Sequence, residues 1–350
     1  MGFARYRFRR EIDDEIRQLN RTDNWHSLLF LSCDVFWIAL AIAACHLVSW
    51  WLYPVAALII GARQRALSTI FHDCVHGTAA ANKKLELVLG TVLTAYPIFQ
   101  LYSAYKISHV LSHHPGLGDP DRDPDLRYFL RQRIYQRFSR RLCCVRIVIL
   151  PIFGARTFSF LRYLFTTRFR TQTECRARSV LDRRAPFVRL RGLDRTAFCL
   201  FWATIAILGW WADALVQIAI FWIVPYVTTF QLLSWFIELA EHTPLMRDHH
   251  VDLHMSRNRK SKGLEKFLTG IHNDDYHWDH HLDPRTPCWN LPKAHAVRMK
   301  DENFAALDRA TGALFTKGPE GQPSVLSEII TALSTDALLP PAPAAAPIRS

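Results

Sequence analysis

LLFLSCDVFWIALAIAACHLVSWWLYPVAALIIGARQRALSTIFHDCVH, residues 28–76, holds two apolar runs joined by a short aromatic turn, and it ends on two histidines four residues apart. Each run, about 28–48 and about 53–71, approaches the roughly 20 residues a helix needs to cross the hydrocarbon core of a bilayer. Trp50, Trp51 and Pro54 leave room between them only for a tight hairpin with aromatic residues at the interface. The pattern recurs downstream, where 198–209, extended toward 212, and 215–239 are divided by Trp210, Trp211 and Asp213. The expected fold is therefore all-α and integral to the membrane, with four transmembrane helices in two hairpins.

Composition supports this reading. Half of the 350 residues are hydrophobic while the formal charge is +12, so strongly apolar and strongly basic stretches must lie apart. Arginine is dense at the N-terminus (Arg5, Arg7, Arg9, Arg10) and from Arg127 to Arg195, and a Lys/Arg excess marks cytoplasmic loops. Both termini and the long central loop are thus expected in the cytoplasm. The basic N-terminus runs into acidic Glu11–Glu15 with no apolar core behind it, so a cleaved signal is not expected.

The chain divides into a cytoplasmic segment at 1–27, a membrane domain at 28–295 and a C-terminal segment at 296–350 whose Pro/Ala tail, 340–347, is expected to be disordered. Within the domain, 72–195 and 240–295 form a cytoplasmic helical cap. A fifth apolar stretch, 85–102, is interrupted by Pro97 and reads as re-entrant or surface-lying. The run 142–165 mixes apolar residues with Arg146, Arg156 and Arg162, which suits a helix at the headgroup boundary or a plain cytosolic helix. Because those arginines sit among Phe, Leu and Ile, nucleic acid is not an expected partner. The eight cysteines lack the spacing of a disulfide framework, and Cys143–Cys144 is read as an incidental neighbouring pair of reduced thiols.

The sixteen histidines carry the chemistry. HDCVH contains His72 and His76; HVLSHH contains His109, His113 and His114; HWDHH contains His277, His280 and His281. In an α-helix i and i+4 share a face, so the pairs 72/76, 109/113 and 277/281 each present two imidazoles in one direction, with His114 pointing elsewhere, toward a second metal. One such pair is commonly a surface feature. Eight imidazoles in three clusters on one side of the membrane are too many for a tetrahedral zinc, and nitrogen-rich ligation with open positions suits a dinuclear redox iron site.

The three boxes, their order and their placement after the second and fourth spans resemble the membrane fatty acid desaturase superfamily, which includes acyl-lipid and acyl-CoA desaturases and related hydroxylases. GARQRALSTIFHDCVHG (61–77) and HNDDYHWDHHLDPRTPCWNLPKAH (272–295) look most like its bacterial, rhizobitoxine desaturase-like branch, which implies a bacterial inner membrane. The likeness runs from about residue 28 to residue 295. It implies two irons held in the cap by the eight box histidines and by His242 of ELAEHTP, with O₂ as co-substrate. Glu238 stands where acyl-CoA desaturases carry an asparagine that reaches the metal through water; a metal-side carboxylate and an exposed glutamate are both open. Asp275 replaces a common Asn and Asp283 a common aromatic, departures that bear on substrate or outcome.

Imidazole ligands need a carboxylate or carbonyl behind them. Asp73 and Asp279 lie inside boxes and are candidates; any single member of the run Asp119, Asp121, Asp123, Asp125 reads as a solvated turn. His272 is an alternative ligand, whereas His249, His250 and His254 match no family position. His114-Pro115-Gly116 resembles the start of a haem-binding His-Pro-Gly-Gly, but Leu117 stands in place of the last glycine. No fused redox module is expected, so electrons come from a separate ferredoxin- or cytochrome-like donor.

The expected function is O₂-dependent oxidation of an aliphatic fatty acyl or lipid-like chain, most directly desaturation, with hydroxylation or oxidative decarboxylation to a terminal alkene as other outcomes. Phe99, Tyr102, Tyr105, Phe230 and Trp235 are candidates to line a substrate channel. A non-redox metal-binding receptor or transporter is a different class. It predicts charges inside the membrane, and the span interiors are read as having none.

Overall fold

The structure, a computed structural model, describes residues 3–169 and 190–335. The Pro/Ala tail and part of the arginine-rich segment lie outside the described residues. Among those residues every regular element is helical, and the β pairing is a single bridge between Ala4 and Val251. The helices that matter for the site are, in chain order, α1 (His26–Leu47), α2 (Tyr53–His76), α3 (Lys83–Val88), α4 (Tyr102–Tyr105), α5 (Arg191–Trp211), α6 (Leu215–Ile218), α7 (Gln231–His242), α8 (His277–Leu282) and α9 (Leu291–Arg298).

The chain folds as two compact units, each built from separated segments: 22–115 with 154–235, and 1–21 with 116–153 and 236–350. Among the described residues three helical runs are long and apolar enough to cross a membrane: α1, α5 and Leu215–Asp248. The number rises to as many as five if two bent pairs, Lys83–Ile98 with Tyr102–Gly116 and Arg140–Ile152 with Thr157–Thr166, each count as one span.

In the first unit α1 and α2 form a hairpin whose shared core includes Ala41, Cys45, Ala56 and Ile60. Ser49 Oγ accepts from Trp51 N at the turn, and Pro54 occupies the first turn of α2, where a backbone N–H has no helical acceptor. Trp51 is 92 % exposed and Trp211 of the second aromatic tip 82 %. Gly77, at φ 84°, ends α2 in the left-handed conformation that releases a helix C-terminus.

The expectation of uncharged span interiors is overturned here. α2 carries Arg63, Gln64 and Arg65 in its middle and is not among the three apolar runs. Arg63 Nη1 lies 3.5 Å from Asp34 Oδ1 of α1, with the two side chains 4 % and 0 % exposed. Gln64 Nε2 donates to the carbonyl of Trp222 at 2.9 Å. Opposite charges on neighbouring helices neutralise each other, so the apolar average of 28–48 conceals an ion pair. A short distance along α2, Gly61 allows a close crossing with 226–230: a Cβ there would lie 2.7 Å from Phe230 N.

The apolar stretch around Pro97 turns back on itself, with its two arms bent by 93°. Irregular backbone at membrane depth survives only where its polar groups are satisfied by protein. Trp202 Nε1 donates to the carbonyl of Tyr96 at 2.9 Å and Trp222 Nε1 to that of Pro97 at 2.8 Å. Asp194 of α5 then receives Ser103 N at 2.8 Å and Ser103 Oγ at 2.6 Å, capping the returning arm that carries the second histidine box.

The second unit packs Trp278 of α8 face to face on Phe304, ring centroids 4.1 Å apart, beside Leu253. Its buried charges are matched: Asp279, fully buried, receives Arg298 Nη1 at 2.6 Å and Asn258 Nδ2 at 2.7 Å. All cysteines among the described residues are free thiols, Cys143 and Cys144 included.

Candidate metal centre

In the first unit α2 delivers His72 and His76 from its last turn, ring centroids 4.7 Å apart, as i,i+4 spacing requires. The second box is different. From Lys106 to His113 the helix is a π-helix, whose wider turn brings i and i+5 onto one side. His114 therefore does not point away from His109: their Nε2 atoms are 3.1 Å apart, while His109 Nε2 also lies 2.9 Å from His72 Nε2. Only the direction of His114 departs from the α-helical reading; His113, the expected partner of His109, also offers a ligand nitrogen within 4.8 Å of one on His109. The ligand nitrogens of His72, His76, His109 and His114 all fall within 4.8 Å of one another. His113 is buried and stacks on His109 at 5.3 Å.

The second unit builds its own group. His242 ends α7 and His277 begins α8; their Nε2 atoms are 2.9 Å apart. His281, one turn on, has its ring 4.6 Å from both. His280 stands further off, 6.2 Å from His277 and 5.7 Å from His281.

These donor sets fit a metal. Bonds of about 2.0–2.1 Å to imidazole put two adjacent ligand nitrogens about 3 Å apart, the separation seen in both groups. One ring is also held in the right tautomer. His242 Nδ1 donates to the carbonyl of Met255 at 3.0 Å, which leaves the Nε2 lone pair facing the group.

A fatty acid desaturase family model matches residues 48–309. The dihydrorhizobitoxine desaturase of Bradyrhizobium elkanii is 44 % identical to this chain over 92 % of the chain and 89 % of the relative. This chain belongs to the fatty acid desaturase family. It is an oxidoreductase of that family with the helices of a membrane protein. Two more distant members match shorter stretches. The sn-2 acyl-lipid omega-3 desaturase (ferredoxin) of Helianthus annuus is 35 % identical over 29 % of this chain and 23 % of its own length. The acyl-lipid omega-3 desaturase (cytochrome b5) of Arabidopsis thaliana is 29 % identical over 35 % and 31 %.

Within this desaturase the carboxylates sort by what they touch. Asp73 Oδ1 lies 3.4 Å from His72 Nδ1. Asp279, inside the third box, instead braces α8 against α9 through Arg298 and His295. Burial alone would raise its carboxyl, but Arg298 and His295 outweigh it and hold it below the usual range. The departures at Asp275 and Asp283 are absorbed locally: Lys266 Nζ pairs with Asp275 at 3.1 Å, and Asp283 takes Arg285 Nε at 2.8 Å and Asn20 Nδ2 at 3.1 Å. Asp123 caps the helix Pro124–Arg131. His272 sits in a left-handed turn at φ 54° and belongs to none of the convergent donor groups, nor do His249, His250 and His254.

Glu238 is half-buried on α7. Sequence reasoning passed over Glu241, one turn on, which is buried and faces His277 Nδ1 at 3.5 Å. Its signal was present only as an acidic residue next to a metal-ligand histidine, and helical periodicity put Glu238 rather than Glu241 in line with His242.

The aromatic residues expected to line a channel have packing partners. Phe99 lies flat on Trp202 at 4.3 Å, Tyr105 on His109 at 5.0 Å and Phe230 on Tyr226 at 4.8 Å; Tyr102 donates its hydroxyl to the carbonyl of Cys74, and Arg156 sits over Trp235. An apolar cavity of about 380 Å³ in the same unit is lined instead by residues that include Ile42, Pro97, Phe201, Phe221 and Trp222.

Proposed function

We propose that this chain is an O₂-dependent di-iron membrane oxidase that desaturates the aliphatic part of a fatty acyl or lipid-like substrate. The ligands in this reading are His72, His76, His109, His113, His114, His242, His277, His280 and His281. The observation that carries it is the approach of imidazole Nε2 atoms to 2.9–3.1 Å in each histidine group. Joining both groups in one two-iron centre rests on the family's box pattern.

When bound, the iron pair supplies O₂ reduction with two electrons and two protons, so that two hydrogens leave adjacent methylenes and the oxygen leaves as water. The chain's own residues prepare for this. The carbonyl of Met255 fixes the His242 proton on Nδ1, Asp73 stands behind His72, and Tyr105 lies flat against His109, limiting its rotation. Positioning one methylene pair near the oxidant in a water-poor site is the remaining task of the fold.

The same reading has four crossings, α1, α2, α5 and the run from Leu215, with a cytoplasmic cap and both termini in the cytoplasm of a bacterium with an inner membrane. Neutralisation of Arg63 by Asp34 supports α2 as a crossing despite its charges. The domain limits remain 28–295, between 1–27 and 296–350. The electron donor is a separate ferredoxin- or cytochrome-like protein, as the names of the acyl-lipid relatives indicate for those enzymes. A second substrate reading is favoured by the 44 % identity over nearly the whole chain: dihydrorhizobitoxine, or a compound of its kind, in place of a fatty acyl chain.

The test is purification from iron-replete cells, iron per chain by plasma mass spectrometry, and O₂ uptake with a reduced donor. Product mass spectrometry follows with a fatty acyl substrate and with dihydrorhizobitoxine. About two irons and donor-dependent O₂ uptake with loss of two hydrogens are expected. Zinc in place of iron with no O₂ uptake would defeat the proposal, and a product gaining oxygen would redirect it to hydroxylation.

A further inference from the structure

His242 and His277 come from segments 35 residues apart, yet their Nε2 atoms meet at 2.9 Å. The alignment needs something to tie the end of α7 to the start of α8. Arg259 does so. Its side chain is fully buried, and Nη1 donates to Glu241 Oε1 at 2.8 Å. Nη2 donates to Asp274 Oδ2 and to the carbonyls of Thr269 and Asp274, each at 3.1 Å. The backbone N–H of Arg259 adds a bond to the carbonyl of Asp275 at 2.8 Å. One planar guanidinium thus fastens the residue before His242 to the turn that leads into His277. Lysine, a single point charge, lacks the fork to do this. Burial opposes the charge on Arg259, but Asp274 and Glu241 outweigh it, so the group stays cationic.

The arrangement has a second consequence. The Glu241 oxygen held by Arg259 is the one that faces His277 Nδ1, at 3.5 Å. His242 has a carbonyl behind it; His277 has this carboxylate.

We propose that Glu241, fixed by Arg259, is a positioning residue for the metal centre: it holds His277 with Nε2 directed at the metal and makes that imidazole a stronger donor. This rests on the reading of His242 and His277 as iron ligands. A carboxylate behind a metal-bound histidine is worth about 10–100-fold in metal affinity.

The experiment uses the full chain in detergent, as wild type, Glu241→Gln and Arg259→Lys. Glutamine keeps the size of Glu241 and an oxygen that accepts from Arg259, but removes the negative charge behind His277. Iron retention is titrated against a chelator, and thermal unfolding of the metal-free protein is recorded alongside. The proposal expects Glu241→Gln to hold iron about 10–100-fold more weakly, a loss larger than any fall in metal-free stability accounts for, since Arg259 keeps Asp274 as counter-charge. Arg259→Lys should weaken binding in the same direction; if it fails to fold, Glu241→Gln alone decides. Wild-type iron affinity in Glu241→Gln overturns the inference, as does a loss of affinity matched by an equal loss of metal-free stability, which is a merely structural role. A wild type that binds no iron defeats the ligand reading first, and this inference with it.

Discussion

Replacing Asp34 by asparagine separates two accounts of the charged pair between α1 and α2. The Arg63 nitrogen and Asp34 oxygen are 3.5 Å apart and both side chains are essentially sealed from solvent. At an effective dielectric constant near 20, two unit charges at that distance attract by about 5 kcal/mol, while each loses several kcal/mol of hydration. The pair is therefore nearly neutral in net terms but severe to break. Asp34→Asn leaves a buried guanidinium without its counter-charge and should cost about 3–5 kcal/mol; Arg63→Met should cost about as much. The double variant Asp34→Asn/Arg63→Met removes both charges and should lie within about 1–3 kcal/mol of wild type, giving a coupling of about 3 kcal/mol or more. Reversible unfolding in mixed micelles, followed by circular dichroism or by steric trapping, measures all four corners of the cycle. Single variants that each cost less than about 1 kcal/mol, or a double variant no better than the sum of the singles, would refute the reasoning.

Three further outcomes follow from the geometry. Gly61→Ala should destabilise by about 1–3 kcal/mol, because the new methyl meets the backbone of Phe230 at 2.7 Å; an unchanged unfolding midpoint in the same micelles would mean that the crossing relaxes freely. His114→Ala and His109→Ala should lower iron content to the same level, and the double variant should lower it no further, since the π-helix makes them ligands in one group; additive losses would place them at different metals. His295, outside the membrane segments, is drawn toward neutrality by burial, but Asp279 at 3.0 Å and Asp308 at 3.7 Å more than reverse this and raise it. A raised histidine stabilises fully below its unfolded value of about 6.5, and that contribution fades as pH rises through the folded value. The melting-temperature gap between wild type and His295→Gln should thus be largest in mild acid and shrink in alkali; a gap that widens with pH contradicts the assignment.

What the sequence revealed and what it concealed follow one physical rule. Patterns that repeat along the chain are legible: apolar length gave the long helices, the Trp-Trp pairs marked the hairpin turns, and i,i+4 spacing correctly paired His72 with His76 and His277 with His281. Features set by contacts between distant segments are not. Asp34 and Arg63 look like blemishes in two apolar runs until the hairpin brings them together, and averaging each run separately hid both. Glu241 is indistinguishable from Glu238 without Arg259, eighteen residues on, and Asp279 looks like support for a metal until Arg298 claims it. The π-helix at the second box lies between these cases. HVLSHH offers both i+4 and i+5 partners to His109, and the wider winding of the helix from Lys106 to His113 lets His114 join His113 beside it. A histidine motif therefore fixes which side chains can bind a metal, while the backbone winding and the buried charges behind them decide how they are grouped. That is why substitutions at Arg259 and Glu241, which belong to no histidine box, are the more searching test of how the centre is held.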